Sequence, residues 1–146
     1  MATWEIFSAE AAELAAFGAE RLSAGVAYLA TVREDGSPRV HPVTPIVGHG
    51  RLFLFMEPTS PKGRDLRRDG RYSLHCAVAD SSGGAGEFYL RGRAVPVDDR
   101  EIRGLAVEAA SYAPADRYVL FELGIDGAAS TVYRDGGPQR RRWGMW

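Results

Sequence analysis

The chain has 146 residues, which is enough for one domain with a substantial core. Its hydrophobic fraction of 45% and its charged fraction of 25% are ordinary for a soluble globular protein. A net charge of −1 argues against a dedicated nucleic-acid binder, although the stretch 140–142 is a local run of arginines.

The first third of the chain alternates helix and strand signals. An amphipathic pattern predicts a helix capped by Ser8, and Gly25 ends it. An Asp-Gly turn then joins two strands. Pro42 and Pro45 place the second strand at an edge or a bulge, because proline cannot donate to a ladder. The predicted elements are a helix over 8–22, strands over 26–32 and 39–47, and a turn over 34–38.

The rest of the chain is dominated by strand patterns, namely apolar runs and alternation of apolar with polar residues. The predicted strands cover 51–56, 72–78, 87–97, 118–125 and 130–133, with the tail 139–143 as an optional further strand, helices over 60–69 and 98–110 and a loop over 79–86. The fold class is therefore mainly β with flanking helices: a small barrel of six or seven antiparallel strands, formed by a single domain over residues 1–146.

Cysteine usage and hydropathy bear on the location of the protein. The single cysteine, Cys76, excludes an internal disulfide and fits a reducing compartment. No apolar run approaches the roughly 20 residues of a membrane helix, and no secretory signal is visible at the N-terminus. We therefore expect a cytoplasmic protein with neither a membrane nor a nucleic acid as its partner.

Common metal and nucleophile motifs are absent from the sequence. There is no Gly-x-Ser-x-Gly, Cys-x-x-Cys or His-x-x-x-His spacing. His75 and Cys76 are adjacent in a predicted strand, so they point to opposite faces and cannot share a metal ion. Cys76 is expected to be buried and inert, and His49 to be solvated in its turn. The glycines of 83–86 are a weak phosphate-loop candidate, because a strand follows them rather than a helix.

The junction of the strand 51–56 with the helix 60–69 is the best anion-site candidate. Ser60 is a good N-cap, Pro61 suits the first helical position, and Gly63 leaves room for a ligand. Free backbone N–H groups and the helix dipole favour an anion at such a start. Lys62 is the only lysine beside seventeen arginines. The alternative is that these residues serve only the helix.

A second strand completes the candidate site. In an antiparallel meander the strand Arg39–Thr44 lies beside Phe53–Glu57, which would bring a guanidinium and an imidazole to an apolar floor next to the anion seat. Such a site suits a flat, aromatic, phosphorylated ligand. For Arg39 and His41 the alternative is an ordinary strand pair with one polar face.

These segments carry a family resemblance. The stretches Ala30–Val43 and Leu52–Tyr72 resemble the opening hairpin and the phosphate-binding block of the pyridoxamine 5′-phosphate oxidase-like flavoproteins, and Glu87–Ala94 is similar to their next strand. The resemblance implies a split β-barrel homodimer that binds FMN at the subunit interface and acts on a small-molecule substrate.

Carried over by position, the resemblance also implies roles for individual residues. Arg39 and Lys62, helped by Ser60 and Gly63, would meet the phosphate. Glu87 stands where the authentic oxidases carry a glutamine that reaches the flavin, and Trp143 corresponds to a late tryptophan of the family. The residues that would run beside the ring system and the ribityl chain are Val40, His41, Pro42, Val43, Thr44, Phe55 and Met56.

The chain also departs from the authentic oxidases. Thr44 replaces a lysine, Pro61 replaces an arginine, and the C-terminal Arg-x-His substrate motif is missing. The resemblance thus implies an FMN-dependent oxidoreductase other than pyridoxamine phosphate oxidase, in which the flavin carries the hydride chemistry. The alternatives are a deazaflavin-dependent reductase and a non-catalytic flavin or haem binder.

Overall fold

The computed structural model describes residues 1–145 and contains four helices and eight strands in this part of the chain. The helices are α1 (Trp4–Glu10), α2 (Ala12–Ser23), α3 (Pro61–Arg68) and α4 (Arg100–Ala109). The strands are β1 (Ala27–Val32), β2 (Pro38–Val43), β3 (Ile46–Gly48), β4 (Arg51–Met56), β5 (Arg71–Cys76), β6 (Glu87–Val97), β7 (Val119–Arg134) and β8 (Gly137–Gly144). None of the described helices has the length and apolarity that a membrane crossing demands.

All strands belong to one antiparallel sheet with the order β2-β1-β5-β6-β7-β4-β3, and β8 pairs with β7 beside this path. β2 and β3 stand at opposite ends of this order, yet only Thr44 and Pro45 join them. Because two residues span only a few ångströms, the sheet must curl until its ends approach each other. This confirms the predicted mainly-β split barrel.

The core fills the inside of this curled sheet. In β6 the side chains alternate as predicted, with Phe88 and Leu90 buried and their neighbours partly exposed. α1 and α2 add Phe7 and Leu22 to the same cluster, while α4 covers a smaller cluster around Phe53. Cys76 is buried, as predicted.

The single helix predicted over 8–22 is wrong in its start and its continuity. Thr3, not Ser8, caps the first helix, because its Oγ1 accepts a hydrogen bond from the Ile6 N–H at 3.2 Å. The earlier start buries Trp4, and the chain leaves helical geometry at Ala11 before α2 begins. Ser8 therefore lies inside α1.

Two strand predictions also need correction. The strand predicted over 39–47 is split at Thr44-Pro45 into β2 and β3, since Pro45 has no N–H to donate. β2 is an edge strand, as Pro42 indicated, but it is not hydrogen-bonded to β4, so the predicted strand neighbourhood is wrong. The strands predicted over 118–125 and 130–133 are one strand, β7, whose residues 120–131 pair with the whole of β6 across an irregularity at Arg91/Gly92.

Candidate functional site

The start of α3 is built as the sequence predicted. Ser60 is extended and its Oγ accepts a hydrogen bond from the Gly63 N–H at 3.2 Å, while Pro61 occupies the first helical position. Gly63 is buried, and a Cβ there would lie 3.0 Å from Ser60 Oγ and 3.1 Å from Met56 Sδ. The absence of a side chain thus lets the first turn pack on the end of β4.

Lys62 is the outstanding side chain of this turn. It is half-buried, and burial lowers the pKa of its ammonium group. Within residues 1–145 this ammonium makes no hydrogen bond and no ion pair. A partly desolvated cation with no carboxylate beside it attracts an anion strongly.

His41 of β2 lies within electrostatic reach of Lys62, and Arg39 of the same strand bonds Asp65 of α3. The pKa of His41 is lowered, first by partial burial of its ring and then by the positive charges of Lys62 and Arg39. β2 and α3 therefore converge even though β2 and β4 do not pair. The three side chains form a positive cluster, Lys62–His41–Arg39, that draws on both predicted halves of the site.

Asp65 holds Arg39 in this cluster, a role that the sequence analysis missed. Its carboxylate accepts hydrogen bonds from Arg39 Nε at 2.7 Å, from Thr31 Oγ1 at 2.8 Å and from Arg68 at 3.3 Å. Burial opposes ionisation of Asp65 and is the largest single influence, but these hydrogen bonds together outweigh it and lower its pKa. A lone acid in an otherwise basic helix was the available signal.

The remaining residues of the predicted ring surface differ in accessibility. Val40 and Pro42 of β2 and Thr44 just after it are exposed, whereas Val43 is buried. Phe55 and Met56 belong to the core, and the guanidinium carbon of Arg103 lies 5.0 Å from the Phe55 ring centroid. In a single chain the exposed side of β2 is therefore the surface that a ligand can reach.

Glu87 and Trp143 lie elsewhere in the same chain. Met56 pairs with Val119 of β7, whereas Glu87 pairs with Thr131, twelve residues further along that strand. Glu87 accepts a hydrogen bond from the Tyr133 hydroxyl at 2.7 Å and lies 3.7 Å from His75. Trp143 donates to Glu10 at 3.2 Å and its ring packs 4.9 Å from Phe7. One chain does not bring these two residues to Lys62.

The other candidates from the sequence give no competing site. Among residues 1–145 no group of three or more potential ligands could hold a metal ion. His49 is exposed in its turn with a positive φ and lies 3.6 Å from Glu108. Among the sites that the sequence predicted, the positive cluster at α3 is therefore the chemically distinctive one within residues 1–145.

Comparison with known proteins places the chain in a family. The pyridoxamine 5′-phosphate oxidase family profile matches residues 12–136, which is most of the chain. The chain belongs to this family. No curated protein matches it.

Solved structures share the fold at low sequence identity. PhzG from Burkholderia lata 383, solved in complex with tetrahydrophenazine-1-carboxylic acid, is 18% identical with a TM-score of 0.68 over 97% of this chain and 87% of that chain. A haem-binding protein from Mycobacterium smegmatis is 22% identical with a TM-score of 0.65 over 86% of this chain, which spans 57% of that protein. A NimC/NimA family protein from Clostridium acetobutylicum is 21% identical with a TM-score of 0.63, covering 86% and 91% of the two chains. Proteins that share this fold therefore bind different ligands, among them tetrahydrophenazine-1-carboxylic acid and haem.

Proposed function

We propose that this protein binds FMN through the positive cluster at α3 and acts as an oxidoreductase. The observation that carries the proposal is Lys62, a half-buried ammonium without a counter-charge within residues 1–145. Partial burial of an unpaired charge costs free energy, and a bound anion offsets that cost. A phosphate group does so with short, charge-assisted hydrogen bonds.

The donors around Lys62 suit a phosphate dianion. Arg39 uses its Nε on Asp65, which leaves the terminal N–H groups of the guanidinium for a ligand. Ser60 fixes the first turn of α3, so the helix start can add its dipole to the cluster. No acidic residue stands in the first turn of α3 to oppose an anion.

The edge strand β2 supplies the adjoining surface for a flat ring. Val40 and Pro42 are exposed on this strand and Thr44 directly after it, and they alternate with Arg39 and His41. When bound, FMN supplies the hydride-transfer chemistry. The residues of this chain bind the phosphate, orient the ring along β2 and shield one side of it from water.

A homodimer is part of this proposal. Tyr28 is 47% exposed and Val40 is 65% exposed on one face of the β1–β2 pair, so the face opposite to Arg39 and His41 presents an apolar surface to a partner. Glu87 and Trp143 can meet the cluster at Lys62 only if they come from a second copy. Light scattering at micromolar concentration tests this proposal: a dimer is expected, and a monomer in the presence of FMN would contradict it.

The test of the cofactor site is the substitution Lys62→Ala. A hydrogen bond to a charged group contributes roughly 1.5–3 kcal/mol, so we expect FMN binding to weaken by roughly 10- to 150-fold in a fluorescence titration. Lys62→Arg should recover part of the loss, because a planar guanidinium approaches a phosphate differently from an ammonium. Riboflavin, which lacks the phosphate, should bind the wild type and Lys62→Ala equally.

Arg67→Ala is the matched control, because it removes one positive charge from an exposed position of the same helix. It should leave FMN binding nearly unchanged. Equal FMN affinity of Lys62→Ala and the wild type would show that the FMN phosphate does not bind at this turn. Tight binding of a deazaflavin or of haem, with no binding of FMN, would replace the proposed cofactor by one of the alternatives.

The substrate is proposed to differ from pyridoxamine phosphate. Thr44 and Pro61 stand where the authentic oxidases have a lysine and an arginine, and both are exposed beside the cluster. Fewer cationic groups are therefore available for a second phosphate. Assays with FMN, oxygen and pyridoxamine phosphate should give little pyridoxal phosphate, and rapid formation of that product would contradict the proposal.

A further inference from the structure

A second cavity lies at the opposite end of β7 from Lys62. It has a volume of about 560 Å³ and is enclosed by α2, the loop 79–86, the end of β7 and β8. This volume falls within the range of small-molecule sites. The core residue Met56, which touches the start of α3, pairs with Val119, whereas the cavity begins at Ser130 on the same strand. The cavity is thus separate from the positive cluster of the same chain.

The walls of the cavity are apolar and aromatic. Phe17 comes from α2, and Val132 and Tyr133 come from β7. Glycines of the loop 79–86 pack directly against two of these side chains. A Cβ at Gly83 would lie 2.5 Å from the Tyr133 ring, and one at Gly86 would lie 2.8 Å from the Phe17 ring. Both glycines have positive φ angles, so this close approach depends on residues without a side chain.

Ser130 gives this cavity a polar group. Its residue is only 4% exposed, and its hydroxyl makes no hydrogen bond within residues 1–145. The hydroxyl oxygen itself is not fully buried, so it opens onto the cavity, where water or a ligand can bond it. Because Ser130 lines the cavity, its hydroxyl is available to a molecule bound there.

The charged groups at the rim favour an anion. Arg141 pairs with Glu13, which neutralises both. Arg134 also lines the cavity, is exposed, and makes no hydrogen bond or ion pair within residues 1–145. The cavity therefore combines a partly apolar and aromatic wall, one hydroxyl without a protein partner in residues 1–145 and one available guanidinium.

We propose that this cavity binds a small aromatic carboxylic acid. The ring lies against the wall that includes Phe17 and Val132, the carboxylate pairs with Arg134 at the rim, and the Ser130 hydroxyl bonds a polar atom of the ligand. A single guanidinium matches one carboxylate in a bidentate pair. A phosphate dianion would need more cationic groups than this cavity offers.

Calorimetric titration with 1-naphthoate tests the proposal, with uncharged 1-naphthamide as the matched probe. Saturable binding of 1-naphthoate at one site per chain is expected, and 1-naphthamide should bind more weakly. Arg134→Gln should weaken 1-naphthoate binding about ten-fold, because it removes a charge-assisted hydrogen bond. Ser130→Ala should weaken it roughly five-fold, as expected for the loss of one neutral hydrogen bond.

Two further controls separate this cavity from other sites. Arg100→Gln removes an exposed arginine at the start of α4 and should bind 1-naphthoate as the wild type does. As a second check, the titrations are run without FMN, so failure of the FMN proposal would leave this result intact. Thermal unfolding checks that each variant is folded. No saturable binding to the wild type, equal binding of the two probes, or wild-type affinity in both Arg134→Gln and Ser130→Ala would overturn the proposal.

Discussion

The two ends of the barrel differ in how their sites are built and charged. The positive cluster at α3 comes from two short stretches, 39–44 and 60–65, and it surrounds His41 with cations that help to lower its pKa. At the other end, hydrogen bonding to Cys76 is the main cause that raises the pKa of His75, and Glu87 adds to the rise. The comparison teaches that one sheet can hold two histidines in opposite electrostatic surroundings.

The largest effect on the first of these two sites is expected from removing the charge of Asp65, because Asp65 orders Arg39 in the positive cluster. The Asp65 side chain is only 4% exposed and that of Arg39 is 25% exposed. Removing one member of a buried pair typically costs 3–5 kcal/mol. Because Arg39 can partly reach water, we expect Asp65→Asn to lower the free energy of unfolding by about 3 kcal/mol, the low end of that range, in urea titrations at pH 7.

Asp69→Asn is the control, because its carboxylate pairs with the exposed Arg71 and should matter much less. The pH dependence gives a second check. The folded pKa of Asp65 lies below its usual 3.8, so its ionised form stabilises the fold above that pH and the contribution is lost as the pH falls through the folded pKa. The gap between wild type and Asp65→Asn should therefore narrow below about pH 4. A constant gap would contradict this role of Asp65.

Sequence patterns predicted the first end of the barrel well and the second poorly. Ser60, Pro61 and Lys62 are consecutive, and local capping rules are enough to place them at a helix start. The cavity joins Phe17, Gly83, Ser130 and Arg141, which meet only through the course of β7 and β8. No local rule links such distant positions. The same limitation explains why Asp65 was missed: its partners Thr31 and Arg39 come from a separate hairpin.

Removing the N-cap of α3 should have a smaller effect on stability than removing the charge of Asp65. Ser60→Ala removes the hydroxyl that accepts from Gly63, and loss of such a cap typically costs about 1 kcal/mol. Thr3→Ala is matched to it, because Thr3 caps α1 with the same distance of 3.2 Å. Both variants should lose similar stability in thermal unfolding. Only Ser60→Ala should also weaken FMN binding. Equal FMN affinity of the two variants would show that the N-cap of α3 does not contribute to the phosphate site.

The smallest expected effects are shifts in the titration of the two histidines, followed by NMR of their ring protons. In the wild type His75 should titrate at a higher pH than His41, on opposite sides of the usual 6.5. Lys62→Ala should raise the pKa of His41, because it removes a neighbouring positive charge. Glu87→Gln should lower the pKa of His75, and only slightly, because the carboxylate is 3.7 Å away and hydrogen bonding to Cys76 is the larger cause.

Glu108→Gln is the control for both variants, because it removes a carboxylate that lies 3.6 Å from His49 instead. If His41 titrates above His75, or if Lys62→Ala leaves His41 unchanged, Lys62 does not face β2 as a charged group. The phosphate proposal would then lose its electrostatic basis, because the cation that should attract the phosphate would not act on its nearest titratable neighbour.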